Sequence, residues 1–149
     1  MNKFDLDYNS CDNEGNTYLH YAAMANMKDV CKLLLHTMSN EFINKQNNKD
    51  LTALHYALCR DDKDLEICKI LLPKMSPEII NIIDEEGNTL LHYLLKNHRW
   101  YSETLEKFKF IFNKMNKETI NTTNKKGENI LHLALDEGCK EIVECIINN

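Results

Sequence analysis

The strongest constraint in this chain is one short phrase written four times in phase. The copies are Asp12-Asn-Glu-Gly-Asn-Thr-Tyr-Leu-His20-Tyr-Ala, Asn47-Asn-Lys-Asp-Leu-Thr-Ala-Leu-His55-Tyr-Ala, Asp84-Glu-Glu-Gly-Asn-Thr-Leu-Leu-His92-Tyr-Leu and Asn124-Lys-Lys-Gly-Glu-Asn-Ile-Leu-His132-Leu-Ala. The histidines stand 35, 37 and 40 residues apart. A recurrence of this length means a repeat architecture, in which each copy cannot bury its apolar face alone and must stack on its neighbours.

Each position in the phrase has a physical job. Gly15, Gly87 and Gly127 sit where a tight turn needs a positive φ, and Asp50, which replaces glycine in the second copy, tolerates that geometry. Thr17, Thr52, Thr89 and Asn129 are N-caps at the start of a helix. Leu19, Leu54, Leu91 and Leu131 follow as core residues, and Ala22, Ala57 and Ala134 are small where helices must come close; Leu94 widens that packing in the third copy. A second apolar helix follows in each copy, at Val30–Leu35, Ile67–Leu72, Phe108–Phe112 and Ile142–Ile147.

These residues resemble the ankyrin family, whose signature reads roughly Gly-x-Thr-Pro-Leu-His-x-Ala, over nearly the whole chain. The proline place is held by Tyr18, Ala53, Leu90 or Ile130; proline is favoured at a first helical position, not required. The resemblance implies an all-α fold, an ankyrin-repeat solenoid of four helix–turn–helix repeats with hairpin-like fingers. Residues 1–149 are expected to form one domain, with repeats at about 12–44, 45–81, 82–121 and 122–149 after an N-terminal extension of 1–11. Asp136, Glu137, Lys140, Glu141 and Glu144 give the last copy the polar character of a cap.

The periods exceed the ankyrin value of about 33, and the excess is ordered. Met38-Ser-Asn-Glu41-Phe-Ile-Asn44, Met75-Ser-Pro-Glu78-Ile-Ile-Asn81 and Met115-Asn-Lys-Glu118-Thr-Ile-Asn121 form a recurrent connector. Ser39, Ser76 and Asn116 are expected to cap a short turn with their side chains. The third copy carries the longest insertion, Lys96–Glu103, with Arg99, Trp100 and Tyr101. Those residue types are enriched at binding hot spots; the alternative is that Trp100 folds back to cover its own repeat.

Charge, cysteines and histidines exclude several functions. Residues 1–90 hold 15 acids and 9 bases, and residues 91–149 hold 8 and 9. No basic run offers phosphate neutralisation, so no direct nucleic-acid binding is expected. The six cysteines form no C-x-x-C pair and read as reduced thiols, mostly buried. The motif histidines fall one per repeat; helices about 8–10 Å apart cannot bring them onto one zinc ion with ligands near 2 Å. No metal, no cofactor and no enzymatic activity are expected, since no catalytic motif occurs. Neither a secretory h-region nor a run of about 18 uncharged apolar residues is present. The expected place is therefore the cytoplasm, with the nucleus as an alternative, and no membrane contact.

The family binds proteins through finger tips and inner helices. By that analogy the contacts are Asn13, Glu14, Asn48, Lys49, Glu85, Glu86, Lys125 and Lys126 on fingers, and Tyr21, Met24, Tyr56, Arg60, Tyr93, Lys96 and Leu133 on inner helices. Arg99, Trp100 and Tyr101 join them from the insertion. Tyr21, Tyr56 and Tyr93 form a row of rigid amphipathic rings; packing between helices is the alternative role.

Ile43-Asn-Lys-Gln-Asn-Asn48 with Thr52-Ala-Leu-His55-Tyr-Ala57 resembles the approach to the second repeat of the IκB inhibitors of NF-κB. The 11 residues before the first repeat contain no Asp-Ser-Gly phosphodegron, and no acidic Pro/Ser-rich tail follows the last repeat. In this the chain is similar to the short virus-encoded vankyrins of parasitoid-wasp polydnaviruses, which look like truncated IκB. The resemblance implies an inhibitor that sequesters a Rel/NF-κB factor and is not removed by signal-induced degradation. The alternatives are an ankyrin adaptor or effector that grips an unrelated host protein, and a non-catalytic enzyme inhibitor. Apolar end faces would also allow a homodimer.

Overall fold

A computed structural model describes residue 4 and residues 6–61, 64–97 and 102–149, leaving aside the side chains of residues 102 and 103. Its helices are α1 (Tyr18–Met24), α2 (Lys28–Thr37), α3 (Asn40–Ile43), α4 (Ala53–Leu58), α5 (Glu66–Leu71), α6 (Leu90–Asn97), α7 (Ser102–Phe112), α8 (Lys117–Ile120), α9 (Ile130–Asp136) and α10 (Lys140–Ile147), with 3-10 turns at Leu72–Lys74 and Pro77–Asn81. Among the described residues there is no strand; isolated antiparallel bridges, Cys11 to Thr17 and Ile83 to Thr89, close two fingers at their base. This is the all-α class that the sequence leads one to expect. The chain divides into two compact units: Met1–Ala57 with Leu65–Ser76, and Leu58–Asp64 with Pro77–Asn149.

The fingers explain why each repeat opens on Asp or Asn. The side-chain oxygen of Asp12 accepts from the backbone N–H of Glu14 (3.0 Å) and Asn16 (2.8 Å). Asn47 holds Lys49 and Leu51 in the same way, and Asn124 holds Lys126 and Glu128. The turn then passes through positive φ, at Gly15 (78°), Asp50 (60°), Gly87 (80°) and Gly127 (75°).

Two of these glycines face a neighbour as well. A Cβ on Gly87 would stand 2.9 Å from the Asn124 Cα, whereas one on Gly127 would meet nothing within 4 Å. Gly127→Ala should therefore cost only the left-handed penalty of about 1 kcal/mol. Gly87→Ala should cost about 1–3 kcal/mol more, because the fourth-repeat finger must shift. Urea unfolding of both variants measures the difference.

Helix α1 starts at the N-cap Thr17, with His20 reaching back to the Thr17 N–H. It stops where Asn26 takes φ 57°, and Gly138 ends α9 at the same place with φ 71°. Helix α2 buries Cys31, Leu34 and Leu35, the i, i+3, i+4 stripe of an amphipathic helix. In the first unit α1 packs on α2 and α2 on α5; in the second, α6 packs on α7 and α9, and α10 on α7 and α9. Leu19, Leu54 and Leu91 are fully buried, each contributing about 1.5–3 kcal/mol. Leu131 is only half-buried.

Each connector is tied to the asparagine that ends the preceding repeat or, in the first repeat, to Asn9 of the N-terminal extension. Asn9, Asn44 and Asn81 accept, through their side-chain oxygens, the backbone N–H of Ser39 (2.7 Å), Ser76 (2.7 Å) and Asn116 (2.9 Å). The expected side-chain cap forms at Asn116, which accepts from Thr119 N–H at 2.8 Å. Ser39 makes no such bond. Met38, Met75 and Met115 are buried beneath these turns.

Among the described residues one charged side chain lies in the core. Lys107 is 1% exposed, and its ammonium donates to the Arg60 carbonyl. Cys31, Cys68 and Cys139 are buried, Cys59 and Cys145 half-buried and Cys11 exposed. Burial pushes the thiols up, Cys31 to about 11 and Cys59 and Cys139 to about 12, which keeps them protonated and unreactive. No helix among the described residues is long and apolar enough to cross a membrane.

Candidate functional site

His20 and His92 each join one repeat to the next inside a unit. In the first repeat the Nδ1 of His20 accepts the Thr17 N–H at 3.1 Å, which places the proton on Nε2. That nitrogen then donates to the Leu51 carbonyl, on the following repeat, at 3.0 Å. His92 repeats the pattern with Thr89 (3.2 Å) and Glu128 (3.1 Å). Both ring nitrogens are thus committed to protein groups. His132 is exposed and bonds its own cap, Asn129.

Burial is the main force on these rings and pushes His20 and His92 below the ordinary histidine value; the Leu51 and Glu128 carbonyls only partly oppose it. The unfolded chain therefore binds protons that the fold refuses. The joints contribute fully above about pH 6.5, and stability falls as the pH drops below that value. The thermal midpoint should fall between about pH 7 and about pH 5, more steeply in the parent than in His92→Gln. Equal slopes would assign the fall to other groups.

Tyr21, Tyr56 and Tyr93 are each anchored nine residues back along the chain. Tyr21 donates to Asp12 at 2.5 Å and Tyr93 to Asp84 at 2.6 Å, while Tyr56 accepts from Asn47 at 3.0 Å. The Tyr21 hydroxyl holds the Asp12 carboxyl low. Burial raises Asp84, but bonds from Tyr93 and Asn88 outweigh it and keep that carboxyl low as well. Anchored hydroxyls leave the ring faces as the groups on offer.

In the first unit the expected residues converge. A cleft of about 110 Å³ is lined by Glu14, Asn16, His20, Tyr21, Met24 and Tyr56. Tyr21 and Met24 are exposed and Tyr56 half-buried, its ring meeting His20 edge-on at 5.8 Å. Asn16 donates to the Glu14 carboxylate at 3.3 Å. Asn13 and Asn48 tie the fingers together instead: the Asn48 amide donates to the Asn13 carbonyl at 3.0 Å, and the Asn48 N–H donates to the Glu14 carbonyl at 2.9 Å. Lys49 is exposed on its finger tip.

In the second unit the charges pair with one another. Lys125 meets Glu86 at 3.3 Å and Lys96 meets Glu128 at 3.1 Å; both pairs reach solvent and carry small energetic weight. Glu85 is exposed, Tyr93 and Arg60 are half-buried, and Leu133 is buried. Arg99, Trp100 and Tyr101 lie outside the described residues. Asn16 and His20 complete the cleft although their sequence positions mark them only as finger and cap residues.

Two family models match the chain, both described as ankyrin repeats: one of many copies over residues 19–72, the other of 3 copies over residues 62–149. The chain belongs to the ankyrin repeat family. Ankyrin repeats are in general non-catalytic interaction modules, and this ankyrin protein is accordingly a protein-binding module. No curated protein was found to match it.

Proposed function

We propose that this ankyrin protein is an IκB-like inhibitor that sequesters a Rel/NF-κB factor. The cleft of Glu14, Tyr21, Met24 and Tyr56 carries the reading. A carboxylate beside tyrosine faces is the environment that takes up a lysine or arginine side chain, by ion pairing and cation–π attraction together. The likeness of residues 43–57 to the second IκB repeat supports a partner with a basic nuclear-import or DNA-binding surface, such as a Rel protein. Covering that surface would hold the factor inactive.

Pull-down with Rel-homology domains and an NF-κB reporter test the reading together. The parent chain should bind and repress. Glu14→Lys with Tyr21→Ala should weaken binding by about 10-fold or more, as loss of hot-spot contacts does. Trp100→Ala with Tyr101→Ala should weaken it too, with a nearly unchanged thermal midpoint. Affinity purification that recovers one dominant non-Rel protein would instead support the adaptor or enzyme-inhibitor readings.

A further inference from the structure

Joints inside each unit define what one repeat presents to the next. Ala23 in the first repeat and Leu95 in the third, each in a repeat with another following it in its unit, are both 0% exposed. Ile67 in the second and Ile142 in the fourth, on helices packed against those of the preceding repeat, are 2% and 3% exposed. The end repeats keep apolar residues at these places. Val30 corresponds to Ile67 and is 42% exposed; Leu135 corresponds to Leu95 and is 59% exposed. Ile147, which corresponds to the buried Phe112, is exposed as well.

The polar half of the joint is kept too. Inside the units, a histidine Nε2 donates to the next repeat's carbonyl (His20 to Leu51, His92 to Glu128), and a finger carbonyl accepts the next finger's N–H (Glu14 from Asn48, Glu86 from Lys125). The fourth repeat presents the same donor and acceptor in His132 Nε2 and the Lys126 carbonyl. The first repeat presents their complements in the Asn16 carbonyl and the Asn13 N–H. A groove of about 360 Å³ opens on the first repeat, lined by Leu6, Tyr8, Tyr18, Met27, Val30 and Leu34 among others. Almost everything lining it is apolar.

We propose that the occupant of this groove is the fourth repeat of a second copy of the chain, docked head to tail. The contact would reproduce between chains the joint already formed within them: Leu135 and Ile147 pack against Tyr18, Met27 and Val30, while His132 reaches the Asn16 carbonyl. Both halves reside on one chain, in the register that the internal joints define. Such a contact is heterologous, so it leaves a free face for a further copy on each end and does not stop at a two-fold dimer. It does not depend on the Rel reading.

Sedimentation velocity on the full chain, from low micromolar to several hundred micromolar, tests this with two variants at exposed positions, Val30→Glu and Leu135→Glu. Circular dichroism confirms that each is folded, and Ile147→Asp replaces Leu135→Glu if needed. The parent should grow past twice the monomer mass as concentration rises. Each variant alone should stay monomeric. Mixed in equal amounts they should form a complex of twice the monomer mass and no larger, because each supplies the face the other lacks. A parent that remains monomeric throughout overturns the proposal. So does self-association of Leu135→Glu alone, which would mean that two first repeats pair with each other.

Discussion

Leu91→Ala is expected to destabilise the fold by about 2–5 kcal/mol, the range for emptying a fully buried leucine site. Leu91 is 0% exposed. It lies in α6, which is packed on both α7 and α9, so the surroundings have little room to collapse into the space. Leu131 holds the same place in the motif but is half-buried in the fourth repeat. Leu131→Ala should cost clearly less. Urea unfolding of the two variants measures the contrast. Equal losses would mean that position in the motif, rather than cover by neighbouring repeats, sets the cost.

The second large effect belongs to the histidines. His92→Ala removes a buried ring whose two nitrogens serve the Thr89 N–H and the Glu128 carbonyl. It leaves a space and two polar groups without their partner, and should cost about 2–4 kcal/mol. His132→Ala, at an exposed ring that bonds only its own cap among the described residues, should cost under about 1 kcal/mol. The difference is the contribution of tying one repeat to the next. It is measured by comparing unfolding midpoints above about pH 7, where the buried His92 ring, held below the ordinary histidine value, is neutral.

Much of this architecture is legible in the chain because the repeat writes each contact several times. The Asp/Asn that opens a finger, the glycine of its turn, the threonine cap and the histidine at the third helical position all act over a few residues, so their roles follow from spacing. Contacts that span a whole repeat are harder. Asn44 and Asn81 recur visibly in the connectors, but that they cap Ser76 and Asn116 more than thirty residues on requires the folded path. Lys107 gives no warning at all. It occupies the register of Val30, Ile67 and Ile142, where an apolar residue is expected, and is buried because its ammonium reaches the Arg60 carbonyl. The cap reading of the last repeat is half right. Its charged residues do face solvent, yet Leu135 and Ile147 stay exposed among them.

The candidate site divides along the same line. Spacing places Tyr21, Tyr56 and Tyr93 in equivalent positions, but not their hydroxyls on Asp12, Asn47 and Asp84, which occupies each polar tip and leaves the ring faces on offer. Finger charges read from sequence as equally available are not so. Glu86 and Lys125 face each other, whereas Glu14 borders a cleft with two tyrosines. Pairing of that kind depends on how adjacent fingers align.

Calorimetric titration of a purified Rel-homology dimer with the full chain tests the central functional claim most directly. Saturable binding at or below micromolar concentration is expected, with a marked loss of affinity in the Glu14→Lys, Tyr21→Ala variant. No heat of binding to any Rel-homology dimer at micromolar concentrations, with the chain folded, would contradict it.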